Sequence, residues 1–287
     1  MHDTGLRPVN QKNPIVFLSD FGLSDPYVGI VKGVIYSINP EADVIDLTHE
    51  INPQDVRQAA FILKWSQQHF PPGTIFLAVV DPGVGSSRPG IVAVYRQRLF
   101  VGPDNGIFGL FTAKKEKKYC SCFCLRQERI FKLCLKHGFR PGSSTTFHAR
   151  DIFGPAAALL NLGFRPEDLG EPHDNPVSFS FPEAEVTRDG CIRGQILYFD
   201  RFGNAVTNIS AGMLQKISCP GSSSPCLLVQ DRDISCIPFL ETYSQASDNQ
   251  PFFLIDSFEL VEIAVNCGSA RNTLGLEVGN KVVVRCK

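Results

Sequence analysis

The 287-residue chain lacks several features that would place it in familiar functional classes. No apolar run reaches the ~18 residues that a membrane-spanning helix needs. The polar segment 1–13 lacks the apolar core of a signal peptide, so we expect a flexible tail and a cytoplasmic protein. The formal net charge is only −1, which argues against nucleic acid or an anionic membrane as a partner.

Common nucleotide, metal and nucleophile motifs are also missing from the sequence. It contains no Walker loop, no Rossmann fingerprint, no H-E-x-x-H zinc helix and no G-x-S-x-G elbow. Gly83-Val84-Gly85 follows a predicted strand, but it lacks the third glycine and the helical pattern of a dinucleotide site.

Ten cysteines are present, and four of them lie close together in the sequence. Cys120, Cys122 and Cys124 alternate, and Cys134 and His137 follow, so a metal cluster is one interpretation. The spacing C-x-C-x-C is not the C-x-x-C of structural zinc sites, however. The other six cysteines are scattered singly, as small buried hydrophobic side chains would be. We therefore expect reduced thiols and no metal.

The first 80 residues alternate between strand and helix patterns. Apolar runs predict strands over 15–19, 44–47 and 74–80, and helical spacing of apolar residues predicts helices over 26–38 and 55–70. This order is typical of an α/β domain, here 14–170, with a mostly parallel sheet and helices on both faces.

The pattern then changes. Residues 91–101 indicate a hairpin, and 151–163 a short helix. The basic, irregular segment 113–144 is interpreted as a partly strand-like surface excursion, with a nucleic-acid patch as the less favoured alternative. The proline-rich segment 171–185 predicts a linker, and 186–287 contains six strand patterns and almost no helical ones. That second half predicts an all-β, barrel-like domain.

Two predicted strands of the first domain end in aspartate, at Asp20 and Asp81. Ligands bind at the carboxyl ends of strands in open α/β sheets, so these acids could bind a metal, share a proton or bind ribose hydroxyls. Arg88 follows Asp81 by seven residues across a glycine-rich turn, which predicts a charge pair. A salt bridge that only stabilises the turn, and a helix-capping role for Asp20, remain alternatives.

Three further segments offer polar groups. His148 precedes the helix predicted over 151–163, where the proton affinity of an imidazole tends to fall. Asn204 lies between two predicted strands and offers both a donor and an acceptor. Packing or capping for His148, and a hairpin turn for Asn204, are the alternatives. The strand pattern over 260–266 would suit a sheet edge that binds a base through its backbone.

Several short motifs follow one another in a specific order along nearly the whole chain. They are Ser19-Asp20-Phe21-Gly22, Asp46-Leu47-Thr48-His49, Asp81-Pro82-Gly83-Val84-Gly85, Pro103-Asp104-Asn105-Gly106, Thr146-Phe147-His148, Arg150-Asp151-Ile152-Phe153-Gly154-Pro155, Phe202-Gly203-Asn204 and Glu262-Ile263-Ala264-Val265-Asn266. In this order they resemble the adenosine-forming S-adenosyl-L-methionine (SAM) hydrolases, which are relatives of the fluorinases and chlorinases.

The resemblance implies a reaction and the residues that carry it. Water would attack C5′ of SAM and release adenosine and L-methionine without a cofactor. The positions that handle the nucleophile in the family fall on Asp81, Arg88 and His148, and the position that binds the ribose hydroxyls falls on Asp20. The family has an N-terminal α/β domain and a C-terminal β-barrel, and it forms homotrimers with the active site at a subunit interface.

Contacts to the adenosine part would come from the second domain. They fall on Asn204, Ser257, Glu262 and Val265, the last three through a weaker segment of the match.

The sequence departs from the family pattern at Ala149, where glycine usually follows the motif histidine. A methyl group there would narrow the nucleophile pocket and disfavour a halide. Asp81 also favours water over a halide as the nucleophile, because the halogenases carry tyrosine at that position. Two alternatives remain open, namely a halide-dependent SAM lyase and a SAM- or adenosine-binding protein without activity.

Overall fold

The computed structural model describes residues 13–217, 224–229 and 234–286. The chain divides into two compact units, Met1–Ser180 and Phe181–Lys287, and the division falls inside the segment predicted as a linker. All but one residue of the tail predicted over 1–13 lie outside the described residues. Within the described ranges, no helix is both long and apolar enough to cross a membrane.

The first unit contains a seven-stranded mixed sheet with the order β2-β1-β3-β5-β4-β6-β7. The β2-β1-β3-β5 half is parallel, and β4, β6 and β7 extend it in antiparallel fashion. The strands are β1 Ile15–Ser19, β2 Val44–Thr48, β3 Ile75–Val79, β4 Gly90–Tyr95, β5 Arg98–Pro103, β6 Cys120–Leu125 and β7 Gly170–Pro172. The helices are α1 Tyr27–Ile38, α2 Val56–Ser66, α3 Gly109–Thr112, α4 Gln127–Lys136, α5 Gly154–Asn161 and α6 Pro166–Leu169.

Two apolar clusters cover the two faces of this sheet. On one face, α1, α4 and α5 pack against residues such as Phe17 and Leu77. On the other, α2 and α3 pack against residues such as Phe76 and Phe100. Helix α1 turns the apolar residues at helical spacing toward the sheet, Val28, Val31, Val34, Ile35 and Ile38. The predicted α/β class is thereby confirmed.

The segment 113–144 contains a strand, as expected, but this strand lies inside the sheet, so the expected surface position is wrong. Strand β6 pairs with β4 on one side and β7 on the other, and it buries Cys122, Phe123 and Leu125. Helix α4 follows and buries Ile130 and Cys134. The lysine-rich start of the segment obscured these elements, because their short apolar patterns are interrupted by polar residues.

The second unit is an eight-stranded antiparallel sheet that curls into a nearly closed barrel. Seven strands follow the order β12-β11-β15-β9-β10-β14-β13, and β8 pairs with β9. The two end strands approach each other at Phe239 and Phe253, where Leu240 N donates to Phe253 O over 2.9 Å. The strands are β8 Glu185–Val186, β9 Ile192–Phe199, β10 Ala205–Ser210, β11 Pro225–Val229, β12 Ile234–Pro238, β13 Pro251–Ile255, β14 Leu260–Val265 and β15 Lys281–Cys286, with short helices α7 Ala211–Leu214 and α8 Ala270–Thr273. The predicted barrel-like class is confirmed.

The cysteines of the second unit differ from expectation. Cys226 and Cys236 form a disulfide and Cys286 is disulfide-bonded as well, so the prediction of reduced thiols is wrong for these three. Cys226 and Cys236 lie on neighbouring antiparallel strands with Cα atoms 5.4 Å apart, within the range that a disulfide spans. On β6, the Sγ atoms of Cys120 and Cys122 are 3.9 Å apart as thiols. Across the described ranges, no group of three or more His, Cys, Asp or Glu could hold a metal ion.

Candidate active site

The two aspartates at strand ends leave the sheet at the same edge. Strands β1 and β3 are parallel neighbours, and Ser19 lies opposite Val79 in their register. Asp20 and Asp81 follow within two residues of that pair. The sheet thus places both carboxylates at its carboxyl end, where ligands bind in open α/β folds.

A tight glycine-rich turn follows Asp81. Val84 N donates to Asp81 O, and Ser86 N donates to Gly83 O. Gly85 has φ +79°, and a Cβ at this position would lie 2.6 Å from Thr145 O. Only glycine accommodates both the left-handed backbone and the close approach of the segment that leads to His148.

The turn places the Arg88 side chain against the Asp81 carboxylate. Arg88 Nε donates to Asp81 Oδ1 over 2.8 Å, and Nη2 donates to Oδ2. Both side chains are largely buried, with exposed fractions of 11% for Arg88 and 7% for Asp81. The predicted charge pair is therefore present as a bidentate contact, which fixes the guanidinium plane as well as the charge.

Arg88 also joins His148 to this pair. Its Nη2 donates to His148 Nδ1 over 2.8 Å, so the imidazole accepts at Nδ1. Burial, followed by the positive charge of Arg88, lowers the pKa of His148 below its ordinary value of 6.5, and Asp81 and Asp151 oppose this shift. The ring is thus neutral at pH 7, with its proton on Nε2.

Phe153 supports both the guanidinium and the imidazole, and no separate signal in the sequence marks it. The guanidinium carbon of Arg88 lies 5.2 Å from the centre of the Phe153 ring, and the His148 ring meets that ring edge-on at 6.3 Å. Residues Ala149–Phe153 form a π-helical turn, in which Gly154 N donates to Ala149 O. The wider turn lets His148 and Phe153 contact the same guanidinium.

Asp151 stabilises the start of this helix through its hydrogen bonds. Its buried carboxylate accepts bonds from Ser144 N at 2.7 Å and from Arg150 Nε at 2.6 Å. These bonds attach the segment before His148 to the helix that begins there.

Asp20 lies beside this group of residues. Its Oδ2 accepts a bond from Gln54 N over 2.8 Å, and Gln54 has φ +68°. The neighbouring Phe21 ring packs edge-on against Phe147 at 6.1 Å, directly before His148. The capping alternative is wrong for Asp20, because Pro26 occupies the N-cap position of α1 and the Asp55 side chain caps α2.

The second unit has a separate cluster of acidic groups around Asn204. Asn204 N and Nδ2 donate to the two carboxylate oxygens of Asp200, at 2.8 and 3.0 Å. The buried Glu262 accepts a bond from Tyr243 Oη. Burial raises the pKa of Glu262 to about 7, and the charges of Asp200 and Asp256 act in the same direction. The sequence had singled out neither Asp200 nor Tyr243, because nothing in their spacing marks them.

Ser257 and Val265 are placed differently from Asn204 and Glu262. Ser257 is exposed in the turn between β13 and β14. The Val265 side chain packs in the barrel core, so only its main-chain atoms face away from that core. Strand β14 pairs with β13 up to Val265 but with β10 only up to Ile263, so the strand edge expected over 260–266 is paired on both sides except at its last residues.

Comparisons with known proteins identify the family of this chain. The family model of the SAM hydroxide adenosyltransferase N-terminal domain matches residues 15–170, and that of the C-terminal domain matches residues 194–283. The (R)-S-adenosyl-L-methionine hydrolase of Thermus thermophilus is 39% identical over 94% of this chain and 98% of its own. A fluorinase of an Actinoplanes species is 24% identical over 96% of this chain and 99% of its own.

Solved structures show the same fold. The crystal structure of a conserved protein from Thermotoga maritima has a TM-score of 0.83 at 32% identity and covers 94% of this chain and 99% of its own. The crystal structure of a conserved protein from Thermus thermophilus has a TM-score of 0.69 at 36% identity and covers 96% and 100%. The resemblance seen in the motifs is confirmed: this chain belongs to the SAM hydroxide adenosyltransferase family.

Proposed function

We propose that this protein hydrolyses S-adenosyl-L-methionine to adenosine and L-methionine. The observation that carries the proposal is the contact of one guanidinium, that of Arg88, with both Asp81 and His148 at the edge of the sheet. The names of the hydrolase relatives specify the (R) epimer at sulfur, so we propose that epimer as the preferred substrate.

The reaction is an in-line displacement at C5′. A water oxygen forms the new bond to C5′ while the C5′–S bond breaks, and its electron pair returns to sulfur, giving neutral thioether methionine. One proton leaves the attacking water. A sulfonium is a good leaving group because it departs uncharged, whereas water is a poor nucleophile, with a pKa of about 15.7. Catalysis must therefore act mainly on the water.

Asp81 and His148 have different roles in activating the water. Each carboxylate oxygen of Asp81 accepts a bond from Arg88 and keeps a lone pair for a proton of the water. His148 Nδ1 is occupied by Arg88, so its Nε2 is an N–H that donates to the water oxygen. We therefore assign the proton acceptor to Asp81 and the orienting donor to His148. Holding water about 3 Å from C5′ and in line contributes several kcal/mol more.

We propose the remaining contacts as the family implies them. Asp20 binds the ribose hydroxyls, with Oδ1 as the oxygen that Gln54 leaves available. Asn204, Ser257, Glu262 and Val265 bind the adenosine part. No cofactor is needed in this reaction, because the substrate already carries its leaving group activated as a sulfonium. A cytoplasmic location and the absence of a nucleic-acid partner stay predictions.

We also propose a homotrimer with the active site at a subunit interface. An exposed apolar surface on and before α1 supports self-association. Leu23, Tyr27, Ile30 and Tyr36 are 69%, 45%, 39% and 42% exposed. Exposed apolar patches of this kind mark contact surfaces. Introducing charge with Ile30→Glu is expected to lower the mass measured by light scattering from that of a trimer, and an unchanged mass would contradict this surface.

One incubation tests the activity. The protein is given (R)- and (S)-SAM separately in water enriched in ¹⁸O, with and without chloride, and the nucleoside product is analysed by mass. The proposal expects adenosine carrying ¹⁸O at its 5′ oxygen, independent of chloride and faster from the (R) epimer. Asp81→Asn should reduce the rate by about 10²-fold or more.

The alternatives give other products. Chloride-dependent 5′-chloro-5′-deoxyadenosine would identify a halide-dependent lyase, and bound but unchanged SAM would identify a binding protein. Wild-type turnover by Asp81→Asn or His148→Ala would remove these residues from the mechanism.

A further inference from the structure

A chain of hydrogen bonds runs from α1 to the turn that carries Asp20, exposed at its Lys32–Asp46 end and buried at His49 and Ser19. Lys32 Nζ donates to Asp46 Oδ2 over 2.6 Å, and His49 Nε2 lies 2.9 Å from Asp46 Oδ1. His49 Nδ1 lies 2.7 Å from Ser19 Oγ, and Phe21 N donates to Ser19 Oγ over 3.3 Å. Ser19 and His49 are 0% and 3% exposed, so the half of this chain that reaches the Asp20 turn lies in the core.

The directions of the outer bonds in this chain follow from groups that can only donate or only accept. Burial opposes ionisation of Asp46, but the hydrogen bonds from Lys32 and His49 outweigh it and lower the pKa of Asp46, so its carboxylate accepts. His49 Nε2 therefore carries a proton. Its Nδ1 shares a hydrogen bond with the Ser19 hydroxyl, whose oxygen also accepts from Phe21 N. The Phe17 ring holds the imidazole edge-on at 4.7 Å.

The same loop makes two more bonds to the turn. His49 O accepts from Gly22 N over 2.8 Å, and Gln54 N donates to Asp20 Oδ2 over 2.8 Å. Asp20 thus lies between Ser19, whose hydroxyl is hydrogen-bonded to His49, and Phe21, whose N–H donates to that hydroxyl. The mechanism proposed above uses neither His49 nor Ser19.

From this arrangement we propose that His49, acting through Ser19, is a positioning residue that aims the Asp20 carboxylate at the ribose hydroxyls of the substrate. This inference rests on the ribose-binding role of Asp20 in the proposed function. His49 touches no reacting atom in the proposed mechanism, so its removal weakens recognition of the hydroxyls and leaves the displacement step intact.

Two substitutions at His49 test the roles of its two ring nitrogens separately. The Oδ1 of His49→Asn can replace Nδ1 and keep the Ser19 contact, whereas the Nε2 of His49→Gln can replace the ring Nε2 and keep only Asp46. Ser19→Ala removes the hydroxyl with little change of volume. The positioning role predicts a large effect for His49→Gln and Ser19→Ala and a small one for His49→Asn.

The readout is binding of adenosine compared with 2′,3′-dideoxyadenosine, measured by calorimetry on the folded full-length protein. Wild type should bind adenosine more tightly. His49→Gln and Ser19→Ala should weaken adenosine about tenfold, the equivalent of one lost hydrogen bond, and leave dideoxyadenosine unchanged. KM for SAM should rise by the same factor, while kcat stays within about threefold.

A matched control is His173→Gln. His173 Nε2 bonds Asp104 Oδ2 at 2.9 Å in the same unit, and Asp104 receives Val177 N rather than the Asp20 turn. His173→Gln should leave the affinities for adenosine and for 2′,3′-dideoxyadenosine unchanged.

Three outcomes would overturn the inference. Equal weakening of both ligands would show general damage to the fold, and unchanged adenosine binding in Ser19→Ala and His49→Gln would show that the chain is dispensable. If both His49 variants fail to fold, Ser19→Ala decides alone. A wild type that hydrolyses SAM but binds the two nucleosides equally would remove the ribose role of Asp20, and with it this inference, while leaving the hydrolase itself established.

Discussion

Arg88 Nη2 donates a hydrogen bond to His148 Nδ1 over 2.8 Å. A guanidinium offers only donors, so this contact exists only while Nδ1 is free of a proton. The same nitrogen of Arg88 also bonds Asp81, which makes the guanidinium the common partner of the acid and the imidazole.

The first prediction concerns pH. Glu262, which we propose as an adenosine contact, has a pKa of about 7, so the profile is measured on the Glu262→Gln variant. Because burial and Arg88 lower the pKa of His148 below 6.5, kcat/KM of this variant should stay constant as the pH falls through 6.5. It should decline only at lower pH, where protonation of Nδ1 breaks the bond to Arg88. A rate profile from pH 4.5 to 8 measures this. An acid limb centred above 6.5 would contradict the neutral imidazole.

The second prediction concerns the fork of Arg88. Lysine keeps the charge but cannot reach both Asp81 oxygens and His148 at once, so Arg88→Lys should lower kcat about 10²-fold or more with a smaller change in KM. Arg126→Lys, in an exposed pair with Glu171, is the control and should have wild-type kinetics. Near-normal kcat in Arg88→Lys would mean that charge alone suffices.

The third prediction concerns the space beside Phe153. A Cβ at Gly90 would lie 2.7 Å from Phe153 Cε1 and 3.3 Å from Leu125 Cδ1. Gly90→Ala should therefore displace the ring that supports Arg88, lower stability by about 1–3 kcal/mol and reduce kcat. Thermal unfolding and SAM turnover are the measurements.

Gly212→Ala is the control for this change, because the described structure places nothing within 4 Å of a Cβ there. If Gly90→Ala lost stability but kept full kcat, the contact of Phe153 with Arg88 would have no part in activity.

The fourth prediction concerns Glu262. Its pKa is about 7 in the folded protein and 4.5 ordinarily, so the folded state holds this proton more tightly. The resulting stabilisation is fully present below pH 4.5 and is lost as the pH rises through 7. Glu262→Gln should remove this pH-dependent loss of stability, which amounts to about 3 kcal/mol between pH 4.5 and 7. Denaturant unfolding of both proteins at pH 4.5 and 8 measures the difference, and parallel pH dependences would refute it.

Much of the fold could be predicted because its signals are local. The five valine and isoleucine positions of α1 are spaced for one helix face, and the strand over 15–19 is a continuous apolar run. The approach of Arg88 to Asp81 followed from their separation across a turn. Joining His148 to them, sixty residues away, required the resemblance, since no local pattern connects them.

Other features depend on relationships that one segment does not reveal. The Cys226–Cys236 disulfide depends on the pairing of β11 with β12. The hydrogen bond of His49 to Ser19, thirty residues earlier, depends on the parallel pairing of β1 with β2. The role of Phe153 depends on a hydrogen-bond pattern within its helix, which apolar spacing does not distinguish from an ordinary helix.

The π-helical turn Ala149–Phe153 makes the number of residues in this segment as important as their identities. A π turn is equivalent to an α-helix with one inserted residue. Deleting Ala149, the residue of this turn that belongs to none of the motifs, would restore regular helix and rotate what precedes it by about 100° relative to α5. His148 would then turn away from Arg88, although every motif residue was still present. A relative that keeps the aspartate, arginine and histidine but is one residue shorter here would therefore be expected to have lost the reaction.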